Sequence, residues 1–311
     1  MPNGFPEIHT PKRNPLSREG IDLGKMLFYD PMLSSNGRVS CASCHLQQLA
    51  FTDGQPLSQN GVSGKPGRRN TPTLTNLVFQ EFFFWDGGAQ NLESQSFAPL
   101  MHADEMDINL TALCKRLSEH PIYSQKFKLV FQKDSITSSQ IVRALAQFQR
   151  TLISSNSHYD QVMKGDLEFT EGEARGLNIF QLHCKSCHPP PLFTDNDFHN
   201  NGLDSIFSSE HEGIGKGRYR ITLNKKDMGK FKTPTLRNIS KTSPYMHDGR
   251  FTSLHEVLKH YQSGIIPSET LDSLLMVNPL LSDSEIVELG AFLETLTDTE
   301  FLENPSYSSP F

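Results

Sequence analysis

Cys41-Ala42-Ser43-Cys44-His45 and Cys184-Lys185-Ser186-Cys187-His188 decide how this chain is read. Both are Cys-x-x-Cys-His pentapeptides, the attachment pattern of haem c, of which a shuffled chain of this composition would hold about 0.003. Two thiols three positions apart on one turn reach the two vinyl groups of a porphyrin edge. The next residue then swings an imidazole under the iron. One covalent haem per motif follows, with His45 and His188 as proximal ligands. A redox dithiol, two halves of a four-cysteine zinc site and a structural disulfide are the rival uses of Cys-x-x-Cys, and none of them explains a histidine after both pairs. The fifth cysteine, Cys114, shares a helical face with Leu110, Leu113 and Leu117 and reads as a small buried hydrophobe.

Outward from the motifs, the pattern is helical. Ser17 precedes Leu23, Met26 and Leu27 on one face, and Thr137-x-x-Gln140, Thr170-x-x-Glu173 and Ser282-x-x-Glu285 read as capping boxes before apolar runs of helical period. The 21 Gly and 19 Pro add many loops. A chain of 311 residues suits two domains, and the motifs lie 143 positions apart (45 to 188), which suggests a duplicated unit. The expected fold is mostly α, two cytochrome c-like helical domains, each with one covalently bound haem c. The domains are expected at 17–158 and 159–311, changing over between Ser154 and Gly165, with residues 1–16 packed on the second.

Lys and Arg number 29 against 35 Asp and Glu, and a net charge of −6 gives nucleic acid or anionic membrane no general attraction. The most apolar stretch, Leu77 to Trp85, is interrupted by Gln80 and Glu81 and falls far short of the ~20 residues of a membrane span. Haem c is attached outside the cytoplasm, so a periplasmic protein is expected. Met1 to Thr10 has neither a charged n-region nor an apolar h-region, and the simplest expectation is that a signal peptide has been removed.

Several further segments occur in an order that resembles the bacterial dihaem cytochrome c peroxidases and MauG-type enzymes. They are Leu27-Phe28-Tyr29-Asp30-Pro31, Arg69-Asn70-Thr71-Pro72-Thr73, Phe84-Trp85-Asp86-Gly87, Glu105-Met106, Pro234-Thr235-Leu236-Arg237-Asn238 and Pro244-Tyr245-Met246-His247-Asp248-Gly249. The resemblance runs from about Pro15 to Asp298. It implies that peroxide reacts at the haem of His45 and that the haem of His188 handles electrons.

It further implies that Glu105 is the distal acid–base group, with Gln95 and Pro99 beside it in the distal pocket. A bound peroxide needs one oxygen deprotonated and the leaving oxygen protonated, which one carboxyl group can do in sequence. Without the flanking motifs, Glu105 reads equally as a loop acid beside Asp104 and Asp107. Trp85, the sole tryptophan, matches the residue between the haems, where an indole is a stepping stone for electrons; it also reads as a core aromatic beside Phe82, Phe83 and Phe84. Asn70, Thr242 and Pro244 match positions whose oxygens bind a structural calcium ion, or are ordinary turn residues.

Two departures from the peroxidases stand out. Many carry a histidine in the loop before Arg-Asn-Thr-Pro-Thr that blocks the peroxide site until the other haem is reduced; here Asp53 to Arg69 contains none. The first iron is therefore expected to rest five-coordinate or water-bound, with His102 the one histidine near enough to reach it. Where the peroxidases place an axial methionine on the second haem, Tyr261 stands, as in MauG-type enzymes, with His260, Met246 and Met276 as alternative ligands. A phenolate lowers the potential that a methionine would raise. The expected function is a peroxidase that reduces hydrogen peroxide to water with electrons from a small cytochrome or copper protein. The first alternative is a MauG-like enzyme that oxidises side chains of a partner protein, and the second a dihaem electron carrier. Relatives are often homodimers.

Overall fold

The structure is a computed structural model that describes residues 4–8, 10–207, 213–276 and 281–311. Helix α1 (Arg18–Tyr29) begins where Ser17 Oγ accepts the Gly20 N–H, at the expected start. It is followed by α2 (Leu92–Met101), α3 (Leu110–Glu119), α4 (Pro121–Phe131), α5 (Ser138–Gln149) and α6 (His158–Lys164). Then come α7 (Glu171–His183), α8 (Tyr219–Thr222), α9 (Leu254–Lys259), α10 (Asp283–Glu294) and α11 (Thr299–Glu303). The three expected capping boxes, Thr137/Gln140, Thr170/Glu173 and Ser282/Glu285, are all formed and open α5, α7 and α10. Among the described residues the only sheet is the antiparallel pair β1 (Phe198–His199) and β2 (Phe231–Lys232). Elsewhere the described chain turns through loops and short 3-10 turns, and among the described residues no helix is long and apolar enough to cross a membrane.

Two helix pairs carry the two cores. α1 packs on α5 at Gly24, where a Cβ would lie 1.9 Å from the Ala144 carbonyl oxygen, and α7 packs on α10 at Gly176, where a Cβ would lie 2.1 Å from that of Glu288. Only glycine permits either crossing. The first core gathers buried residues from Leu23 to Leu152, the second from Tyr159 to Leu296. The chain then returns: Phe301 and Leu302 of α11 are buried in the first core. At the other terminus Phe5 packs on Phe79 and under Arg237, touching both halves, while Asn14 is buried against Glu93 and Gln147.

Several contacts of the first half recur in the second, at offsets that differ from the 143 positions between the haem motifs. Thr73 and Thr235 each donate Oγ1–H to a backbone carbonyl, of Ala50 and Leu192, at 2.6 Å. Asn76 and Asn238 both adopt φ +60° and donate N–H at 2.9 Å, to Leu152 and Leu296. Bridges Phe83–Ala89 and Tyr245–Phe251 follow, with Gly87 and Gly249 at φ +71° and +69°. The two donors, the bridges and the glycines recur at an offset of 162 positions (73 to 235, 76 to 238, 83 to 245, 87 to 249), whereas the accepting carbonyls recur at 142 (50 to 192) and 144 (152 to 296).

Candidate active site

At the first motif, Cys41–Ser43 forms a 3-10 turn closed by a capping box between Ser40 and Ser43. His45 Nδ1 lies 2.6 Å from the Phe51 carbonyl oxygen. A carbonyl only accepts, so Nδ1 carries the proton and Nε2 keeps its lone pair, the tautomer an axial iron ligand needs. Left-handed Ala50 and Phe51, at φ +51° and +62°, aim that carbonyl. Burial lowers the His45 pKa and favours the neutral ring. The second motif repeats this: Cys184 caps α7, His188 Nδ1–H donates to Phe193 O at 3.0 Å, Phe193 has φ +54°, and burial again lowers the imidazole pKa.

None of the five cysteines is paired in a disulfide, and burial pushes the thiols of Cys41 and Cys184 up to about 12. Among the described residues the one cluster of metal-type donors is Cys187, Asp195 and His199, which takes a single thiol from a single motif. Neither a disulfide nor a four-cysteine zinc site accounts for this arrangement. Paired thiols on one turn, followed by an imidazole whose Nδ1–H is already committed, fit haem c.

Glu105 lies in the turn after α2, its N–H donating to the His102 carbonyl at 3.0 Å. Burial raises its carboxyl pKa, His102 opposes the rise, and Asp104 adds to it. In turn it raises the thiols of both Cys41 and Cys44, which places it within electrostatic reach of the first motif, although its side chain stays 55% exposed. Gln95 and Pro99 lie one helical turn apart on α2, both half-buried, and the Pro99 carbonyl accepts the Met106 N–H. His102 Nδ1 accepts the Asp104 N–H and lies 3.9 Å from Glu105. Another acid on α2, Glu93, is buried and bound by Arg150 and Asn14, pairings no local sequence pattern announces.

Trp85 joins the halves. Its Nε1–H donates to Asn70 O at 2.9 Å, and its own carbonyl accepts the Lys232 N–H at 2.8 Å. Asn70 in turn donates its N–H to His247 O and its Nδ2–H to Gln55 and Pro56 carbonyls, which leaves Oδ1 as its acceptor. His247 stands 162 positions after Trp85, stacks on Phe231 at 3.7 Å, and is pushed down to about 4 by burial. Pro244 follows the cis peptide Ser243–Pro244 at the start of the same hairpin, and Thr242 precedes it by one residue. Around Trp85, Arg69 and Arg220 both pair with Asp86, and Arg218 donates to the Asp86 and Gly87 carbonyls while its guanidinium lies over Phe82 and Phe198.

Tyr261 sits in a π-turn, His260–Gly264, directly after α9. Such a turn re-aims side chains and is frequent at functional sites. Burial raises the Tyr261 pKa, with smaller upward contributions from Cys184 and Cys187, so the phenol lies within electrostatic reach of the second motif. Asn201 Nδ2 donates to the phenol oxygen at 3.4 Å and to Met246 Sδ at 3.5 Å. His260 is otherwise engaged: its Nε2–H donates to the Asn201 carbonyl at 2.9 Å, and its Nδ1 lies against Gly264. Met276 is 68% exposed. Two residues went unnoticed in the sequence. His199 is held between Asp272 at 2.6 Å and Asp195 at 2.9 Å, which together overcome burial and raise its pKa. Lys232, pushed down to about 8 by burial, lies near Asp195.

Residues 18–168 match the sequence pattern of the family described as Di-haem cytochrome c peroxidase. The methylamine utilization protein MauG of Methylophilus methylotrophus is 38% identical over 93% of this chain and 85% of its own. This chain belongs to the di-haem cytochrome c peroxidase family. The cytochrome c551 peroxidase of Nitrosomonas europaea is 33% identical over 95% of this chain and 84% of its own. A solved structure described as a MauG-like protein associated with microbial copper homeostasis superposes with a TM-score of 0.93 at 34% identity, covering 100% of this chain and 98% of that one. As a member of the di-haem family the chain is an oxidoreductase of the peroxidase type with two haem c groups, and its mostly α fold is the one expected from the motifs.

Proposed function

We propose that this protein reduces hydrogen peroxide to two waters, taking up two protons and two electrons, the electrons arriving from a small periplasmic cytochrome or copper protein. Cys41, Cys44 and His45 hold the first haem, Cys184, Cys187 and His188 the second, through thioether bonds and imidazole Nε2. Bound there, the haems supply the redox chemistry and store oxidising equivalents. Glu105 takes the proton from the incoming peroxide and returns it to the departing oxygen, while Gln95 and Pro99 shape the pocket around it. Trp85 would relay electrons between the halves, Tyr261 would offer its phenol oxygen to the second haem, and oxygens of Asn70, Thr242 and Pro244 would hold a calcium ion.

The observation that carries this reading is the first motif's imidazole, whose Nδ1–H is committed to the Phe51 carbonyl so that Nε2 keeps its lone pair, with Glu105, a carboxyl of raised pKa, within electrostatic reach. A proton shuttle must hold and release a proton near working pH, and an upward shift moves glutamate that way. Steady-state peroxide consumption with a reduced cytochrome tests it. Glu105→Gln is expected to lower kcat/KM for peroxide by about 10²–10⁴-fold; an unchanged rate refutes the assignment.

The second reading is peroxide-driven oxidation of a side chain on a partner protein, and the tyrosine beside the second motif favours it. The copper-homeostasis association of the MauG-like neighbour directs the search for that partner to copper-handling proteins. Rapid reaction with peroxide but negligible turnover with any reduced cytochrome selects this reading. A resting ferric spectrum that is wholly low-spin, with no site open to peroxide, refutes both.

A further inference from the structure

The segment Ser58–Val62 straps the first Cys-x-x-Cys-His turn to the backbone of Glu105. At one end Asn60 Nδ2 donates to the Ser43 carbonyl at 2.9 Å and Ser58 Oγ lies 3.3 Å from Cys44 Sγ. A thioether sulfur only accepts, so in the haem-bound protein Ser58 is the donor of that contact. The Gly67 N–H closes the loop onto Ser58 O at 2.6 Å. At the other end the Val62 N–H donates to the Glu105 carbonyl at 2.7 Å, and the Val62 side chain packs on the first core.

Between these ties Gly61 touches main chain directly: a Cβ there would lie 1.8 Å from the Asp104 carbonyl oxygen and 3.0 Å from Glu105 Cα. Gly61 is not among the glycines with positive φ, so space alone, not backbone conformation, requires glycine. Glu105 is thus gripped from both sides, its N–H on His102 O and its carbonyl on Val62. The grip is anchored on the turn that carries the first haem.

We propose that Ser58–Val62 is a positioning strap that sets where the Glu105 carboxylate stands relative to the first haem, with Gly61 as the residue that fixes the separation. This rests on Glu105 being the acid–base group of the peroxide reaction. Alanine at Gly61 forces the Asp104 carbonyl back by about 1.6 Å, from 1.8 Å to the 3.4 Å of an ordinary contact. Displacements of ~1 Å at a reacting group cost about 10²-fold in rate.

The experiment mixes ferric holoenzyme with peroxide and follows the haem spectrum, and separately follows carbon monoxide binding to the reduced protein, which needs no proton transfer. Gly61→Ala is expected to slow the peroxide step by about 30–100-fold while carbon monoxide binding and haem content stay within twofold. The acidic limb of the peroxide pH profile is expected to move to lower pH. A displaced carboxylate is better solvated, while His102 and Asp104 are the charged or titratable groups around it, the sulfurs of Cys41 and Cys44 being uncharged thioethers in the haem-bound protein. Asn60→Ala removes the anchor without adding bulk and is expected to slow the step by about 3–10-fold; it decides the matter where Gly61→Ala does not load haem. Lys65→Ala, beyond the strap, is the control. If Glu105→Gln reacts as fast as the parent, the reading of Glu105 falls and the strap with it. If Glu105→Gln is slow but Gly61→Ala and Asn60→Ala keep the parental rate and pH profile, the strap alone is refuted.

Discussion

Arg237→Met should destabilise the second half of the molecule strongly, and the size of the loss follows from what Arg237 holds. Its side chain is fully buried; Nη1 and Nη2 each donate to Asp160 at 2.8 Å, and Nε donates to the Pro191 carbonyl at 2.7 Å. Its guanidinium also faces the rings of Phe5 and Phe193, and it is Phe193 whose carbonyl orients His188. Burial alone would raise the Asp160 pKa, but Arg237 and Ser157 overcome it and hold the carboxyl below its ordinary value. Removing one partner of a buried pair leaves the other charge uncompensated, at a cost of about 3–5 kcal/mol. At ~2–4 °C per kcal/mol, the second half should melt about 6–20 °C lower at pH 7. Because the folded pKa of Asp160 is depressed, its stabilisation is present above the unfolded value of ~3.9 and is lost as pH falls through the folded one. The gap between variant and parent should therefore narrow in acid. Thermal unfolding read by far-ultraviolet circular dichroism and haem absorbance, at pH 7 and at successively lower pH, measures both. A fall under about 2 °C at pH 7, or a gap that widens in acid, would show that this pair does not carry the half.

Four further outcomes are expected. The peroxide reaction should lose rate as pH falls through the Glu105 pKa, which lies above that of an ordinary glutamate, and Glu105→Gln should abolish that limb; a limb surviving in the variant assigns it elsewhere. Tyr261→Phe should change the absorption spectrum of the second haem and raise its midpoint potential, and an unaltered spectrum removes the ligand assignment. Trp85→Phe should leave the first contact with peroxide unchanged while slowing the return of electrons to the first haem by at least about tenfold, measured by stopped flow. Prolonged treatment with a calcium chelator should slow the same step and readdition of calcium restore it; indifference to both argues against the calcium site.

The helix starts were legible because each capping box is complete within four residues, as at Thr137/Gln140 and Ser282/Glu285. The haem-attachment turns were legible for the same reason. What escaped notice is long-range or made by main chain. Glu93 meets Arg150 across 57 positions and Arg237 meets Asp160 across 77, with no periodicity to link them. Ala50, Phe51 and Phe193 adopt positive φ without being glycine, so nothing in composition marks the carbonyls they aim at His45 and His188. The duplication was read from the spacing of the haem motifs, yet it is also written in the residues: Thr71-Pro72-Thr73-Leu74-Thr75-Asn76 recurs as Thr233-Pro234-Thr235-Leu236-Arg237-Asn238, changed only where Thr75 becomes Arg237. The strand pair β1–β2, two residues on each side, is too short to show alternation.

Such a duplication constrains how the two haem sites can differ. Their proximal sides are built alike, from a Cys-x-x-Cys-His turn, a left-handed residue and a carbonyl that fixes the imidazole. Divergence has to arise on the elements that follow. Seven residues after Leu92, the first residue of α2, stands Pro99; seven after Leu254, the first residue of α9, stands Tyr261. Both places depart from regular α-helix, one through a proline that cannot donate an N–H, the other through a π-turn. The first place carries a side chain without donor or acceptor, the second a phenol with an oxygen of its own. On the roles proposed for Glu105 and Tyr261, this exchange on a shared frame is what would turn one haem toward peroxide and the other toward holding charge. In the same way, 85 and 247 place an indole in one half and an imidazole in the other, joined through the main chain of Asn70.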